Sequence, residues 1–285
     1  MREADVLLVV GPRLGEITTS GYTLLDVPEP KQTLVHVHPG AEELGRVYRP
    51  HLPILAAPEA FASAVAGLRV EPRWRDWAAA ARADFEAWQQ HEPMPGELDL
   101  GECIAELCSR VPDAIVCNGA GNHTVWIHRF WRFHSFPSQL APTSGAMGYG
   151  VPAAVAAKAL HPGRTVIAFS GDGDFLMHGS ELATAVQHEL PILVLVVDNG
   201  MYGTIRMHQE RHYPGRVVGT DLRNPDFAAY ARAFGAHGEL VERTEEFAGA
   251  LERALGAGVP ALITLRIDPE AITPRTTLSA VRAGT

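Results

Sequence analysis

Cysteine is scarce in this chain of 285 residues, which holds three, Cys103, Cys108 and Cys117, with no Cys-x-x-Cys pair among them. The odd number argues against a disulfide framework, and the expectation is reduced, buried thiols in a cytoplasmic protein. Long apolar runs are lacking as well. The first, Val6 to Val10, is five residues long, too short for a signal-peptide core, and none approaches the roughly 20 residues of a membrane helix. Positive charge is not in excess. With 24 Lys and Arg against 33 Asp and Glu the net charge is -9, which argues against nucleic acid as a partner. What is there, 46% hydrophobic and 20% charged residues, suits a globular protein with one large domain or two smaller ones.

Apolar runs punctuated by glycine and proline set out an alternation of strands and helices. Strands are predicted over Asp5 to Val10, Thr33 to His38 and Pro53 to Ala56, with a helix over Pro58 to Leu68, so that residues 1–70 read as part of a parallel α/β domain. Residues 71–98 read as a helical connector. Trp74, Trp77, Ala81, Phe85 and Trp88 recur there at three- and four-residue steps, an amphipathic stripe expected to pack. From residue 99 to 285 a second domain is predicted as a doubly wound parallel sheet. Its strands are Ala114 to Cys117, Thr165 to Ser170, Pro191 to Val197 and Ala261 to Ile267. Its helices include Asp99 to Arg110, Ser180 to His188, Asn224 to Phe234 and Thr244 to Leu255. The tail from Thr273 is polar and is expected to wrap a neighbour or to be mobile.

Two of those strands end in residues with a common chemistry. Gly171-Asp172-Gly173 follows the second, and Asn199, after a spacer of twenty-five residues, follows the third. Gly-Asp-Gly alone is only a turn signal. Neighbouring parallel strands, however, would bring a carboxylate and an amide oxygen to the carboxyl edge of the sheet, where ligands of open α/β sheets bind. Mg²⁺ takes such hard oxygens alongside phosphate and water. Glycines 171 and 173 would let the backbone approach a diphosphate.

With the upstream stretch Ser144-Gly145-Ala146-Met147-Gly148-Tyr149-Gly150-Val151-Pro152, this pattern resembles the thiamine diphosphate (ThDP) enzymes of the acetolactate synthase, benzoylformate decarboxylase and pyruvate oxidase type, over about Cys117 to Gln209. The resemblance implies that residues 99–285 are the diphosphate-binding domain and residues 1–70 the C-terminal part of a Rossmann-like central domain. Asp172, Asn199 and the Met201 carbonyl would hold Mg²⁺. Met147 would be the apolar wedge that bends the cofactor, with the Gly145 carbonyl accepting from its aminopyrimidine. Gly121, Asn122 and His123 would form a diphosphate-contacting turn, with Gly203 and Thr204 as its counterpart after the asparagine. Asp174 and Tyr202 fall in the same segments, although Tyr202 reads equally well as a core residue. His123 and His208 are the candidate proton-transfer groups, since an imidazole titrates near neutrality.

The activity so implied is decarboxylation of a 2-oxo acid or ligation of its product, in a homodimer or with a partner chain. Family members also use a glutamate on a pyrimidine-binding domain, which this sequence does not match. A truncated or split enzyme, weakly binding and nearly inactive alone, is the expectation; a noncatalytic ThDP-binding or assembly module is the alternative. His208 stands where acetolactate synthases carry a selective tryptophan, which puts acetolactate synthesis in doubt. FAD is possible but unsupported, because Gly11-Pro12-Arg13 continues without the residues of flavin-binding members.

Overall fold

The computed structural model describes residues 1–284. Two compact units emerge, Met1–Ala78 and Ala79–Thr285. In the first, β1 (Val6–Val10), β2 (Thr33–His38) and β3 (Leu52–Leu55) form a parallel sheet in that order, followed by α1 (Pro58–Val65). Its core is small, with Val9, Leu14, Leu25, Leu34 and Tyr48 buried together.

The chain passes through α2 (Arg75–Trp88) into the second unit. Trp74, Trp77, Phe85 and Trp88 stay 37–55% exposed, so the expected packing of the stripe is not seen. Trp88 instead carries the guanidinium of Arg129 on its ring, 5.4 Å from the centroid. A buried cation satisfied by the carbonyls of Trp88, Gln90 and Pro274 takes the place of an apolar seat.

The second unit continues with α3 (Leu100–Arg110), capped by the Asp99 side chain, then β4 (Ile115–Asn118), α4 (Thr124–Phe130) and β5 (Gln139–Leu140). Next come α5 (Gly150–Leu160), β6 (Val166–Gly171), α6 (Asp172–His178), α7 (Leu182–Gln187), β7 (Leu193–Asp198) and α8 (Gly203–His212). The chain ends in α9 (Phe227–Ala233), β8 (His237–Val241), α10 (Thr244–Gly256), β9 (Ala261–Arg266), β10 (Ala271–Thr273), β11 (Thr276–Thr277) and α11 (Leu278–Ala283).

Strands β5-β4-β6-β7-β9-β8 make one parallel sheet. Side chains alternate across it with period two. Ile167, Phe169, Leu193, Leu195 and Val197 face one apolar layer with Ile104, Leu107, Phe247 and Leu251 of α3 and α10. Val166, Ala168, Val194 and Val196 face the other, with the alanines of α5 and with Phe227 of α9. Covered on both faces, the sheet is the doubly wound arrangement expected of near-continuous apolar strands. The chain runs from β4 outward to β5 and returns to β6 on the other side of β4. That reversal opens a crevice at the carboxyl ends of β4 and β6, a topological switch point where such sheets take ligands.

Two further expectations are corrected. The C-terminal segment is anchored: Thr277 caps α11 by accepting from the Ala280 amide, and Leu278 and Val281 are buried with Met201 and Ile272. Only Thr285 lies outside the described residues. Asn224 does not open a helix, because it precedes Pro225 and is biased away from the helical region; α9 starts at Phe227 with Asp226 as its cap.

Candidate functional site

Each strand end that meets the crevice delivers part of a cavity of about 220 Å³. After β4 come Ala120, Gly121, Asn122 and His123; after β6, Gly171, Asp172, Gly173 and Asp174; after β7, the stretch Asn199 to Ile205 apart from Gly200. Gly145 and Met147 come from the loop before α5. The apolar floor of Trp126, Val197, Ile267, Ala271 and Ile272 was not read from the sequence. Its signal was present, since Ile267 ends a predicted strand that should reach the same edge.

Asp172 opens α6 and is 3% exposed. Its Oδ1 accepts from the Gly173 amide at 2.8 Å, and its Oδ2 from the Gly200 amide at 2.9 Å and Asn224 Nδ2 at 2.8 Å. Burial pushes its carboxyl up to about 6; these donors oppose the rise and the Asp198 carboxylate adds to it. A buried carboxylate that resists ionisation in this way is suited to a cation. Asn199 turns its Oδ1 toward the Met201 amide at 3.2 Å. Gly203 packs so closely on the Asn199 amide that a Cβ there would lie 3.1 Å from Nδ2.

Asp174 lines the cavity, but its carboxylate serves the chain's own backbone. Oδ1 accepts from the amides of Gly148 at 2.7 Å and Ala120 at 3.3 Å, tying the Met147 loop to the turn after β4. Its Oδ2 is buried with no hydrogen-bond partner, and so is Nε2 of His123, 3.9 Å away. The His123 ring is wedged between glycines: a Cβ at Gly121 or Gly171 would come within 3.0 or 2.9 Å of Nδ1. Burial holds this imidazole well below its ordinary value, against the pull of Asp174, and so disfavours its protonated form. Asn122 joins the same turn to α8, accepting from Thr204 Oγ1 at 2.8 Å. Tyr202 fills the space that Gly173 leaves; a Cβ at 173 would meet its ring at 2.5 Å.

The structure thus gathers Gly121, Asn122, His123, Gly145, Met147, Gly171, Asp172, Gly173, Asp174, Asn199, Met201, Tyr202, Gly203 and Thr204 around one cavity. It does not bring His208 there. That residue is exposed on α8, its ring stacked on His212 with centroids 6.3 Å apart.

Residues 119–265 match the family described as thiamine pyrophosphate enzyme, C-terminal TPP binding domain, and residues 1–65 match thiamine pyrophosphate enzyme, central domain. The chain is similar to the acetolactate synthase isozyme 2 large subunit of Escherichia coli, 30% identical over 272 residues covering 94% of this chain and 48% of that one. It is 30% identical to the acetolactate synthase large subunit of Corynebacterium glutamicum over 270 residues, covering 89% and 42%. It is also 29% identical to the sulfoacetaldehyde acetyltransferase of Castellaniella defragrans over 285 residues, covering 90% and 48%. The chain spans about half the length of the curated relatives it matches. With more than half of its residues in the C-terminal match alone, and that match spanning the β4, β6 and β7 ends that build the cavity, the chain belongs to the thiamine pyrophosphate enzyme family.

Proposed function

We propose that this chain provides the diphosphate-binding part of a ThDP- and Mg²⁺-dependent enzyme that decarboxylates or ligates 2-oxo acids, of acetolactate synthase-like type. In this reading the enzyme is cytoplasmic and dimeric, and a pyrimidine-binding domain completes its site. The observation that carries the proposal is the buried Asp172 carboxylate lining one cavity with Asn199 and Met201, at the carboxyl ends of β6 and β7.

The donor set fits the group. Asp172 would supply charge, and the Asn199 side chain and Met201 carbonyl neutral oxygens, leaving the other positions of an octahedral Mg²⁺ to phosphate and water. The amino end of α8 has no side-chain cap at Tyr202, so its free amides favour an anion beside Gly203 and Thr204. Across the cavity Gly121, Asn122 and His123 would donate or accept hydrogen bonds. Met147 would set the bend of the cofactor and Gly145 its aminopyrimidine end. The apolar floor lowers the local dielectric, which would strengthen electrostatic contacts made against it. When bound, ThDP supplies an electron sink for the bond to carbon dioxide; the chain's task is position and electrostatics.

Calorimetric titration of the chain with ThDP tests this reading. Saturable binding is expected with Mg²⁺ and little without it, tightening when a pyrimidine-binding domain is supplied. Equal affinity with and without metal would overturn it.

A further inference from the structure

Two residues that touch the Asp172 network do not line the cavity: Asp198, the last residue of β7, and Asn224, in the loop before α9. We propose that Asn224 is a positioning residue for the metal-binding carboxylate, holding Asp172 in the orientation that leaves its Oδ1 available to a divalent cation. The inference rests on the Mg²⁺ reading above and assigns it a residue outside the cavity lining.

Asn224 Nδ2 lies 2.8 Å from Asp172 Oδ2 and 2.7 Å from Asp198 Oδ1. An amide nitrogen has two protons, so one group serves both carboxylates. The Gly200 amide points at the same two oxygens, at 2.9 and 3.2 Å. Each carboxylate oxygen has two lone pairs. Oδ2 of Asp172 therefore has both occupied, by Gly200 and Asn224, whereas Oδ1 has one taken by Gly173 at 2.8 Å and one to spare. The clamp thus selects which oxygen a metal meets.

The chemistry also orients the amide. Turned the other way, Asn224 would aim its carbonyl at two carboxylates, so the NH₂ must face them. The cost falls on its Oδ1, which is buried with no partner, a penalty that the two charge-assisted bonds offset.

Backbone pairing fixes the placement. The Tyr202 amide donates to Thr220 at 2.9 Å and the Leu222 amide to Gly200 at 2.8 Å, with Met201 bridging Asp221 between them. The strip that ends in Asn224 is thereby registered against the turn that carries Asn199 and Met201. Pro225 biases Asn224 away from the helical region, and Asp226 anchors the next residues by capping α9. Asp198, in turn, is steadied by Arg266 at 3.5 Å.

The test uses Mn²⁺ with ThDP, the bound fraction read from the loss of the free-Mn²⁺ paramagnetic resonance signal. Asn224→Ala is expected to raise the Mn²⁺ dissociation constant tenfold or more, and Asn224→Asp, which adds a third carboxylate and removes the donor, to raise it further. Thermal melting with and without Mn²⁺ and ThDP separates positioning from mere structure. A structural role would lower both melting temperatures alike, whereas the proposal requires the metal-induced increment itself to shrink. The double variant Asn224→Ala with Asp198→Asn tests whether Asn224 only offsets repulsion between the carboxylates; recovery of Mn²⁺ affinity in it would overturn the proposal. Asp172→Asn is the control. If it abolishes Mn²⁺ binding while Asn224→Ala does not weaken it, the clamp is wrong and the metal reading stands; if neither substitution matters, both fall.

Discussion

Gly119 shows how tightly single residues constrain the site. A Cβ on it would lie 1.8 Å from Asp174 Oδ2, inside the carboxylate that holds the Gly148 and Ala120 amides. Neither group can move without loosening the Met147 loop. Gly119→Ala is expected to cost about 3 kcal/mol, as overpacking of a rigid site does, and urea unfolding would measure it. Adding Asp174→Ser, which shortens the opposing side chain, should recover part of the loss. At Asp172 the expectation is functional: Asp172→Asn removes the charged metal ligand and should weaken Mg²⁺-dependent ThDP binding at least tenfold by calorimetry, with unchanged affinity counting against the assignment. Asp172 and Asn199 were legible because each directly follows an apolar strand. The role of Asp174 was not. Its position two residues after Asp172 suggested the cofactor, but only folding brings the Gly148 amide, 26 residues away in sequence, to its oxygen.

Among the elements, α8 and α11 act as a pair. Glu210, near the end of α8, has no exposed side-chain surface. It accepts from Arg206 and Arg282 at one oxygen and from Arg282 and the Gly215 amide at the other. The Arg282 hydrogen bonds lead in holding its carboxyl at about 2, against the desolvation that burial imposes. Since the folded value lies below the ordinary 4.5, the contribution is fully present above that pH and is lost as pH falls toward 2. Glu210→Gln should therefore destabilise the protein by about 3 kcal/mol at pH 7, the cost of breaking a buried pair, and the gap to the parent should close in melts run toward pH 2. Because α11 also buries Leu278 and Val281 against Met201, the variant is expected to weaken ThDP binding through the cavity wall. The sequence showed only a polar tail there. Its apolar residues, Leu278 and Val281, stand three apart, too sparse a stripe to announce a helix until the partner surface is known. Edge strand β8 was missed for a similar reason, since His237, Gly238 and Glu239 give it no apolar alternation.

At the level of the whole molecule, the cavity is assembled from segments spread from Ala120 to Ile272, so its order depends on the fold of the entire second unit. A ligand that bridges these segments should stabilise them together. Differential scanning calorimetry is expected to show a higher melting temperature with ThDP and Mg²⁺ together than with either alone. At a hundredfold excess over the dissociation constant the gain is about 2.7 kcal/mol. A melting temperature indifferent to the pair would argue that the cavity does not take the diphosphate.

By itself the sequence determined the apolar strands β1 to β4, β6, β7 and β9, the parallel α/β class and the Asp172 and Asn199 signal, because all three are local: apolar runs, their glycine boundaries and the residues just beyond them. No helix among the described residues is long and apolar enough to cross a membrane, as the short runs implied. Tertiary structure alone decided which histidine belongs to the cavity. His123 and His208 read alike in one dimension, yet the first is 8% exposed beneath Gly171 and the second lies in the open on α8. It likewise decided the place of Asn224, whose amide reaches Asp172 across 52 residues of chain. Contacts of that span follow from strand order and backbone pairing, and neither is written in any local pattern.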